Sequence, residues 1–214
     1  MLSLSDVRRF GLDYIVLDES EDELAKTPSG YQTVSGSILD PDAVDKLIRD
    51  RGAFDVVVSR WTAEHVPDGR RFHEQVFNIL RPGGTAVHLF PTLYSPPFVL
   101  NRVLPARVSN VLVTHADKSR AQEGAHAKFR AYYSWCRGPS KKQVRRFESI
   151  GFSVERYVGF FGHVYYVRVS LLHRAHEFFT DRMLAHPRAI MTSFALVVLT
   201  REGRSDAPAA GKEV

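Results

Sequence analysis

Residues 54–90 are FDVVVSRWTAEHVPDGRRFHEQVFNILRPGGTAVHLF, and this stretch decides the fold class. Its apolar start, residues 54–59, is typical of a strand buried inside a parallel sheet. Asp68 can cap a helix that runs to Leu80, in which apolar residues recur at helical spacing. An RPGG segment predicts a tight turn, and residues 85–90 predict the next strand. Strand, helix and strand in this order predict a right-handed parallel unit of an α/β protein.

The same alternation continues in both directions along the chain. Towards the N-terminus the sequence predicts a helix end at 5–10, strands at 13–18 and 31–39, and helices at 21–26 and 41–51. Towards the C-terminus it predicts a basic helix at 140–150, strands at 152–161 and 192–200, and a helix at 170–184. We therefore expect one α/β domain over residues 1–200 with a mostly parallel sheet.

Two segments interrupt the alternation, and a third follows it. Residues 92–139 are predicted to be an insertion at the carboxyl end of a strand, where loops commonly carry substrate specificity. We call this insertion the predicted lid. Residues 163–190 contain a second, smaller insertion. The tail, 201–214, is rich in Ala, Gly and Pro, and the sequence predicts that it is disordered.

Composition narrows the class of protein. The chain has 214 residues, of which 44% are hydrophobic and 25% charged, as in ordinary globular proteins. Cys136 is the single cysteine, so no intramolecular disulfide can form, which fits a cytoplasmic protein. No apolar run approaches the roughly 18 residues of a membrane span. We therefore expect a cytoplasmic location without membrane contact, and the sequence leaves the oligomeric state open.

The net charge of +5 raises the question of an anionic partner. Much of the basic charge lies between Arg102 and Arg146, whereas residues 13–50 are rich in Asp and Glu. A basic half could bind RNA or another anionic polymer. A solvated helix surface explains the same charges, and no continuous basic block or nucleic-acid motif is present. A nucleic acid is therefore not the expected partner.

Three fragments carry a resemblance to a known family. They are an acidic residue at a strand end, Asp18, the Glu64-His65 pair after the strand at 54–59, and Ile79-Leu-Arg-Pro-Gly-Gly84. Together they resemble class I, Rossmann-like S-adenosylmethionine-dependent methyltransferases of the small-molecule type. The likeness covers residues 11–91 and, more loosely, 140–200. It implies a closing antiparallel strand and methyl transfer from S-adenosylmethionine to a small molecule.

The resemblance implies that the ends of successive strands bind S-adenosylmethionine. Asp18 would accept hydrogen bonds from the ribose hydroxyls, or it could instead cap the following helix. Ser37 stands where the family commonly has an Asp that holds the adenine amino group, and Ile38 could pack on the ring. An ordinary strand-to-turn segment explains these two residues equally well. The candidate cofactor-binding residues are Asp18, Glu19, Ser37, Ile38, Ser59, Arg60 and Trp61.

The resemblance also points to residues that would act on the methyl acceptor. His65 and His163 are candidates for a general base, which this reaction does not strictly need. Tyr94, Tyr133 and Arg137 are the candidate acceptor-binding residues of an aromatic and cationic pocket, although such aromatic residues could simply pack a lid core. Two histidines three apart, at 173 and 176, do not form a zinc pattern, and we expect no metal.

One part of the family pattern is missing. The first strand and its glycine-rich loop should precede residue 13, where only a helix end stands. In this fold that strand lies between the strands at 13–18 and 54–59, so we expect the natural protein to begin upstream. The alternative is a degenerate, non-catalytic binding module of methyltransferase type.

Overall fold

The computed structural model describes residues 2–93, 130–162 and 170–203. The chain divides into two compact units, Met1–Ala53 and Phe54–Val214. Each unit is described separately below. The expectation of one domain over residues 1–200 stays a prediction.

The first unit consists of short helices and a pair of parallel strands. Its elements are α1 (Leu4–Arg9), β1 (Ile15–Asp18), α2 (Glu21–Ala25), β2 (Gln32–Ser35) and α3 (Pro41–Arg51). The two strands pair in parallel from Ile15 opposite Gln32 to Asp18 opposite Ser35. Their carboxyl ends therefore lie side by side.

Local sequence explains where these helices begin. The side chains of Ser3, Ser20 and Asp40 each accept a backbone N–H at the start of α1, α2 and α3, respectively. Helix α3 buries Val44 and Leu47, the apolar positions that its periodicity predicts.

The second unit contains a four-stranded sheet. Its elements are β3 (Phe54–Arg60), a 3₁₀ turn (Ala63–His65), α4 (Gly69–Ile79), β4 (Leu80–Pro91), α5 (Lys141–Glu148), β5 (Phe152–Phe160), α6 (Ser170–Ala185), a second 3₁₀ turn (Ala189–Met191) and β6 (Phe194–Arg201). The strand order is β3-β4-β6-β5. Strand β3 is parallel to β4, and β6 is antiparallel to both β4 and β5. The predicted α/β fold with a closing antiparallel strand is confirmed.

The core of the second unit lies where α4 and α5 meet the sheet. Val76, Phe90, Phe147 and Phe152 are at most 1% exposed. The guanidinium group of Arg201 donates to three carbonyl oxygens around the end of α4, those of Phe77, Asn78 and Leu80. The last strand is thus joined to the helix that precedes β4.

Two local predictions need correction. The RPGG segment lies within β4, but the register jumps from Phe54–Leu80 to Val56–Thr85, so the segment bulges out of the ladder. The strand predicted to be buried is exposed on one face, because Val56 and Val58 are 54% and 64% exposed. Among the described strands, β3 pairs only with β4, which leaves it at the sheet edge.

Only some of the remaining sequence predictions concern residues that the structure describes. The helix predicted at 170–184 is confirmed as α6. Most of the predicted lid, at 94–129, and the tail from residue 204 lie outside the described residues. Within the described part of the chain, no helix is long and apolar enough to cross a membrane.

Candidate functional site

The carboxyl ends of β1 and β2 bring together three of the predicted cofactor-binding residues. Asp18 is half-buried, and its Oδ1 atom accepts the Ser20 N–H at 2.9 Å. Ser20, rather than Asp18, is the cap of α2. The Ser37 hydroxyl donates to the Glu19 carboxylate at 3.0 Å. Carboxylates from two adjacent residues thus lie at one edge of a parallel strand pair, where ligands bind in open α/β sheets.

A cavity begins beside these strand ends. It has a volume of about 320 Å³ and lies between β2 and α3 within the first unit. Leu17, Val44 and Leu47 supply apolar walls, and Ser37 is part of its lining. Ile38, the predicted adenine contact, is half-buried and follows Ser37 directly. The cavity joins apolar surface to polar groups, as small-molecule sites do.

In the second unit, the end of β3 is held by polar contacts. The Ser59 hydroxyl lies 2.7 Å from Nδ1 of His88, its partner across the parallel ladder. The backbone N–H of Trp61 donates to the Leu89 carbonyl, and Trp61 has a φ of 58°. A non-glycine residue in this left-handed region is strained, and such residues cluster at functional sites. Arg60, another predicted cofactor residue, is exposed.

Residues 130–138, which we call the covering segment, lie over the 3₁₀ turn that follows β3. The Glu64 carbonyl accepts the backbone N–H groups of both Tyr132 and Tyr133, at 2.7 and 3.0 Å. The Nδ1 atom of His65 lies 3.2 Å from the Arg130 carbonyl. The Glu64 backbone carbonyl and the His65 side chain therefore both fasten this segment to the turn.

The start of α4 also fits closely against the covering segment. The Ser134 hydroxyl accepts the Gly69 N–H at 2.9 Å. A Cβ atom at Gly69 would lie 2.5 Å from the Ser134 carbonyl oxygen and 2.9 Å from Cβ of Trp135. Glycine is required here because a side chain would push the segment away.

The Glu64 carboxyl is buried under this segment. Glu64 is 4% exposed, and its Oε2 atom has no hydrogen-bond partner among the residues that the structure describes. Burial raises the pKa of Glu64 to about 7, from an ordinary value of 4.5. Its Oε1 atom lies 3.8 Å from Nε2 of His65. A carboxyl group with such a pKa can exchange a proton near neutral pH.

The two predicted acceptor residues in the described part of the lid brace the covering segment. Tyr133 is 2% exposed and has a φ of 53°. The Arg137 guanidinium donates to the carbonyl oxygens of Tyr133 and Cys136, at 2.6 and 3.0 Å. Burial raises the pKa of the Cys136 thiol, so this thiol stays protonated. Contact of Tyr133 and Arg137 with an acceptor stays a prediction.

Two buried histidines lie beneath the covering segment. Nδ1 of His73 donates to the Gly69 carbonyl at 2.6 Å, and the His73 ring stacks on Trp135 at 5.7 Å. The rings of His73 and His88 meet edge to face at 5.2 Å. Neither Nε2 atom has a hydrogen-bond partner among the described residues. Burial lowers the pKa of His73 to about 4 and that of His88 well below its usual range.

The sequence interpretation missed three of these residues. Glu64 carried part of the family resemblance but was given no binding or catalytic role of its own, and the two buried histidines were not considered at all. A signal existed for the histidines: His73 lies on the apolar face of α4, and His88 alternates with Ala86 and Phe90 on the buried face of β4. His163 and Tyr94 lie outside the described residues. Within the described ranges, no group of three or more His, Cys, Asp or Glu residues could hold a metal ion.

Comparisons with known proteins agree with the α/β fold. Residues 2–88 match a family model described as a methyltransferase domain. No curated protein matches the sequence. A solved S-adenosylmethionine-dependent methyltransferase from Archaeoglobus fulgidus is similar, with 12% identity, a TM-score of 0.53, and coverage of 92% of this chain and 80% of that one.

Other solved structures are also similar. An S-adenosylmethionine-dependent methyltransferase from Mesorhizobium loti has 17% identity and a TM-score of 0.48, with 92% of this chain and 84% of that chain covered. A geranyl diphosphate C-methyltransferase from Streptomyces coelicolor has 14% identity and a TM-score of 0.49, with 92% and 66% covered.

The element order and sheet topology define an α/β protein of the Rossmann-like type. Residues 2–88 match the model of a methyltransferase domain, and the predicted resemblance to class I methyltransferases is confirmed.

Proposed function

We propose that this protein transfers a methyl group from S-adenosylmethionine to a small-molecule acceptor. The observation that carries the proposal is the pairing of the β1 and β2 ends, which brings Asp18, Glu19 and Ser37 together inside the segment that matches a methyltransferase domain. The acidic edge suits the hydroxyl groups of a ribose.

The residues present fit the proposed cofactor at this edge. The Asp18 carboxylate spends one hydrogen bond on the Ser20 N–H, and a carboxylate offers about four acceptor sites. Asp18 can therefore still accept from two vicinal hydroxyls. The Glu19 carboxylate, held by the Ser37 hydroxyl, can accept from the adenine amino group. In this way the pair would supply the negative charge that a lone serine lacks.

The sulfonium of S-adenosylmethionine supplies an intrinsically reactive methyl group. The protein would contribute binding, alignment of the acceptor with the methyl carbon, and exclusion of water. Within the second unit the covering segment supports the last of these roles, because the backbone N–H groups of Tyr132 and Tyr133 hold it over the 3₁₀ turn that follows β3.

The first test is calorimetric titration with S-adenosylmethionine and S-adenosylhomocysteine. Whatever affinity the wild type shows, Asp18→Ala should weaken it by about 1–3 kcal/mol, the cost of leaving hydroxyls without a charged acceptor. Asp45→Ala is the matched control, because it removes an exposed carboxylate from α3 of the same unit. An unchanged dissociation constant for Asp18→Ala, with the fold intact, contradicts the ribose assignment.

The second test concerns the acceptor. Incubation with methyl-tritiated S-adenosylmethionine and a fractionated cell extract should label a product in the low-mass fraction. Label in protein or RNA instead would contradict a small-molecule acceptor. Cofactor binding with no labelled product in any fraction would favour the non-catalytic binding module.

A further inference from the structure

We propose that the Glu64 carboxylate takes the proton that the methyl acceptor loses when it is methylated. This inference rests on the proposed function and deepens it, because it assigns a proton-accepting group in the second unit. The sequence had offered only His65 and His163 for this role.

The first argument is the position and burial of the Glu64 side chain. Glu64 follows β3 by four residues, in the 3₁₀ turn beyond the carboxyl end of a strand that pairs in parallel with β4. Ligands of open α/β sheets bind at these ends. The side chain is 4% exposed, yet its Oε2 atom has no partner among the described residues. Buried polar atoms are normally satisfied, so an unpaired carboxyl oxygen here calls for a ligand donor.

The second argument is that, within the described ranges, the covering segment is not held by this carboxyl group. The covering segment is fastened through the Glu64 backbone carbonyl, not through the side chain. The Arg137 guanidinium of that segment donates to two carbonyl oxygens of the segment itself. Two non-glycine residues of the segment, Tyr133 and Trp135, have φ values of 53° and 62°. Such strain persists only where the surrounding structure enforces it.

The third argument is electrostatic. Among the residues that the structure describes, the titratable groups that face Glu64 are His65 from its own turn, with Nε2 at 3.8 Å from Oε1, and Cys136 from the covering segment. The thiol is neutral, since burial raises its pKa. Burial also raises the pKa of Glu64 to about 7, so the carboxylate is present near neutral pH and binds a proton readily.

The proposed step balances as follows. A lone pair of the acceptor's X–H group forms the bond to the methyl carbon, and the S–CH₃ bond breaks with its electron pair going to sulfur. The sulfonium becomes a thioether, and the proton of X–H passes to the Glu64 carboxylate. Loss of this proton to water after release of the product restores the ionised form.

The test uses two ligands, so that no acceptor needs to be known. S-adenosylhomocysteine lacks the methyl group. In sinefungin a CH–NH₂ group replaces the S⁺–CH₃ group, so its amine takes the place of the methyl group. If Glu64 faces the position of transfer, it should pair with the sinefungin ammonium. We would measure both dissociation constants from pH 6 to pH 8 for the wild type, Glu64→Gln and Glu74→Gln. Glu74 is the control because it is an exposed carboxylate on α4 that pairs with Arg70.

The expected result is a preference of the wild type for sinefungin that grows as pH rises through 7. Glu64→Gln should lower this preference about tenfold at pH 8 and remove its pH dependence, because a charge-assisted hydrogen bond is lost. Glu74→Gln should behave as the wild type.

Two other outcomes would overturn the inference while leaving the proposed function intact. One is an unchanged preference in Glu64→Gln, and the other is an equal loss of affinity for both ligands, which indicates a structural role. If the wild type binds neither ligand, the proposed function itself is wrong, and the inference is wrong with it.

Discussion

The sharpest prediction concerns His73, because its pKa and burial give a magnitude that can be measured. The side chain is 2% exposed, and its Nδ1 atom faces a carbonyl oxygen, which can only accept. Nδ1 therefore carries the proton, and Nε2 is the basic nitrogen. Protonation of Nε2 would place a charge among Phe147, Trp135 and the neighbouring His88 ring. The folded state thus favours the neutral imidazole.

The size of the effect follows from linkage. Burial lowers the pKa of His73 from 6.5 to about 4. Between these values the unfolded chain binds more protons than the folded one, so stability falls as pH falls. At 1.36 kcal/mol per pKa unit, the loss amounts to about 2 kcal/mol at pH 5 and about 3 kcal/mol at pH 4, relative to pH 7. Above pH 6.5 His73 is mostly neutral in both the folded and the unfolded state, so this loss of stability is nearly absent.

His73→Gln tests this reasoning, since a glutamine amide can donate to the same carbonyl and does not titrate. Urea unfolding should be followed by tryptophan fluorescence, because both tryptophans, Trp61 and Trp135, lie in the second unit. We expect wild-type stability, measured relative to the variant, to fall by about 2 kcal/mol between pH 7 and pH 5. His65→Gln is the control, because that side chain is 37% exposed.

One outcome of the His73→Gln experiment would contradict this prediction. If the difference in unfolding free energy between wild type and His73→Gln is the same at pH 7 and pH 5, His73 titrates normally in the folded protein. The buried position of its Nε2 atom would then be wrong.

Three further predictions concern the second unit. Gly138→Ala should lower the free energy of unfolding by about 3 kcal/mol or more, because a Cβ atom there would overlap the Ala189 carbonyl oxygen. Gly203→Ala is the control and should be neutral. Equal melting temperatures of the two variants would refute the close contact at Gly138. Relative to Glu64→Gln, wild-type stability should fall by about 3 kcal/mol as pH rises from 4.5 through 7, and a pH-independent difference in urea unfolding would show an ordinary carboxyl group. Arg137→Ala should accelerate amide exchange in residues 130–138 and reduce acceptor turnover while S-adenosylmethionine affinity stays nearly unchanged; unaltered exchange would refute the bracing role.

The helices and strands could be predicted from sequence because the spacing of apolar residues depends on the local secondary structure alone. The spacing of Phe72 and Val76 placed α4 correctly, and Asp68 marks its start as an N-cap. The apolar run at 54–59 was correctly predicted as a strand but wrongly predicted as buried on both faces. Burial depends on what covers the strand, and the pattern of a single strand does not contain that information.

The site was harder to predict because its chemistry depends on contacts between distant residues. Glu64 looks like an ordinary helix-entry carboxylate until residues 130–138 cover it, some 65 positions further along the chain. Burial lowers the pKa values of His73 and His88, and that burial exists only because a helix and a strand meet inside an aromatic cluster. The position of Asp18 at a strand end was easier to predict, since it depends on local sequence alone, and its ribose contact stays a prediction.

Glu64 and His73 have opposite effects on the stability of the second unit. Between pH 4.5 and 6.5 the folded state holds an extra proton on Glu64 and lacks one on His73, so their contributions to the slope of stability against pH nearly cancel. The stability of the wild type would therefore change little with pH in this range, although both groups titrate. The Glu64→Gln variant would show the pH dependence due to His73, and the His73→Gln variant that due to Glu64. Any acid destabilisation that persists in a Glu64→Gln, His73→Gln double variant must come from other groups. His88, whose pKa burial and the neighbouring His73 both lower, is the foremost of these.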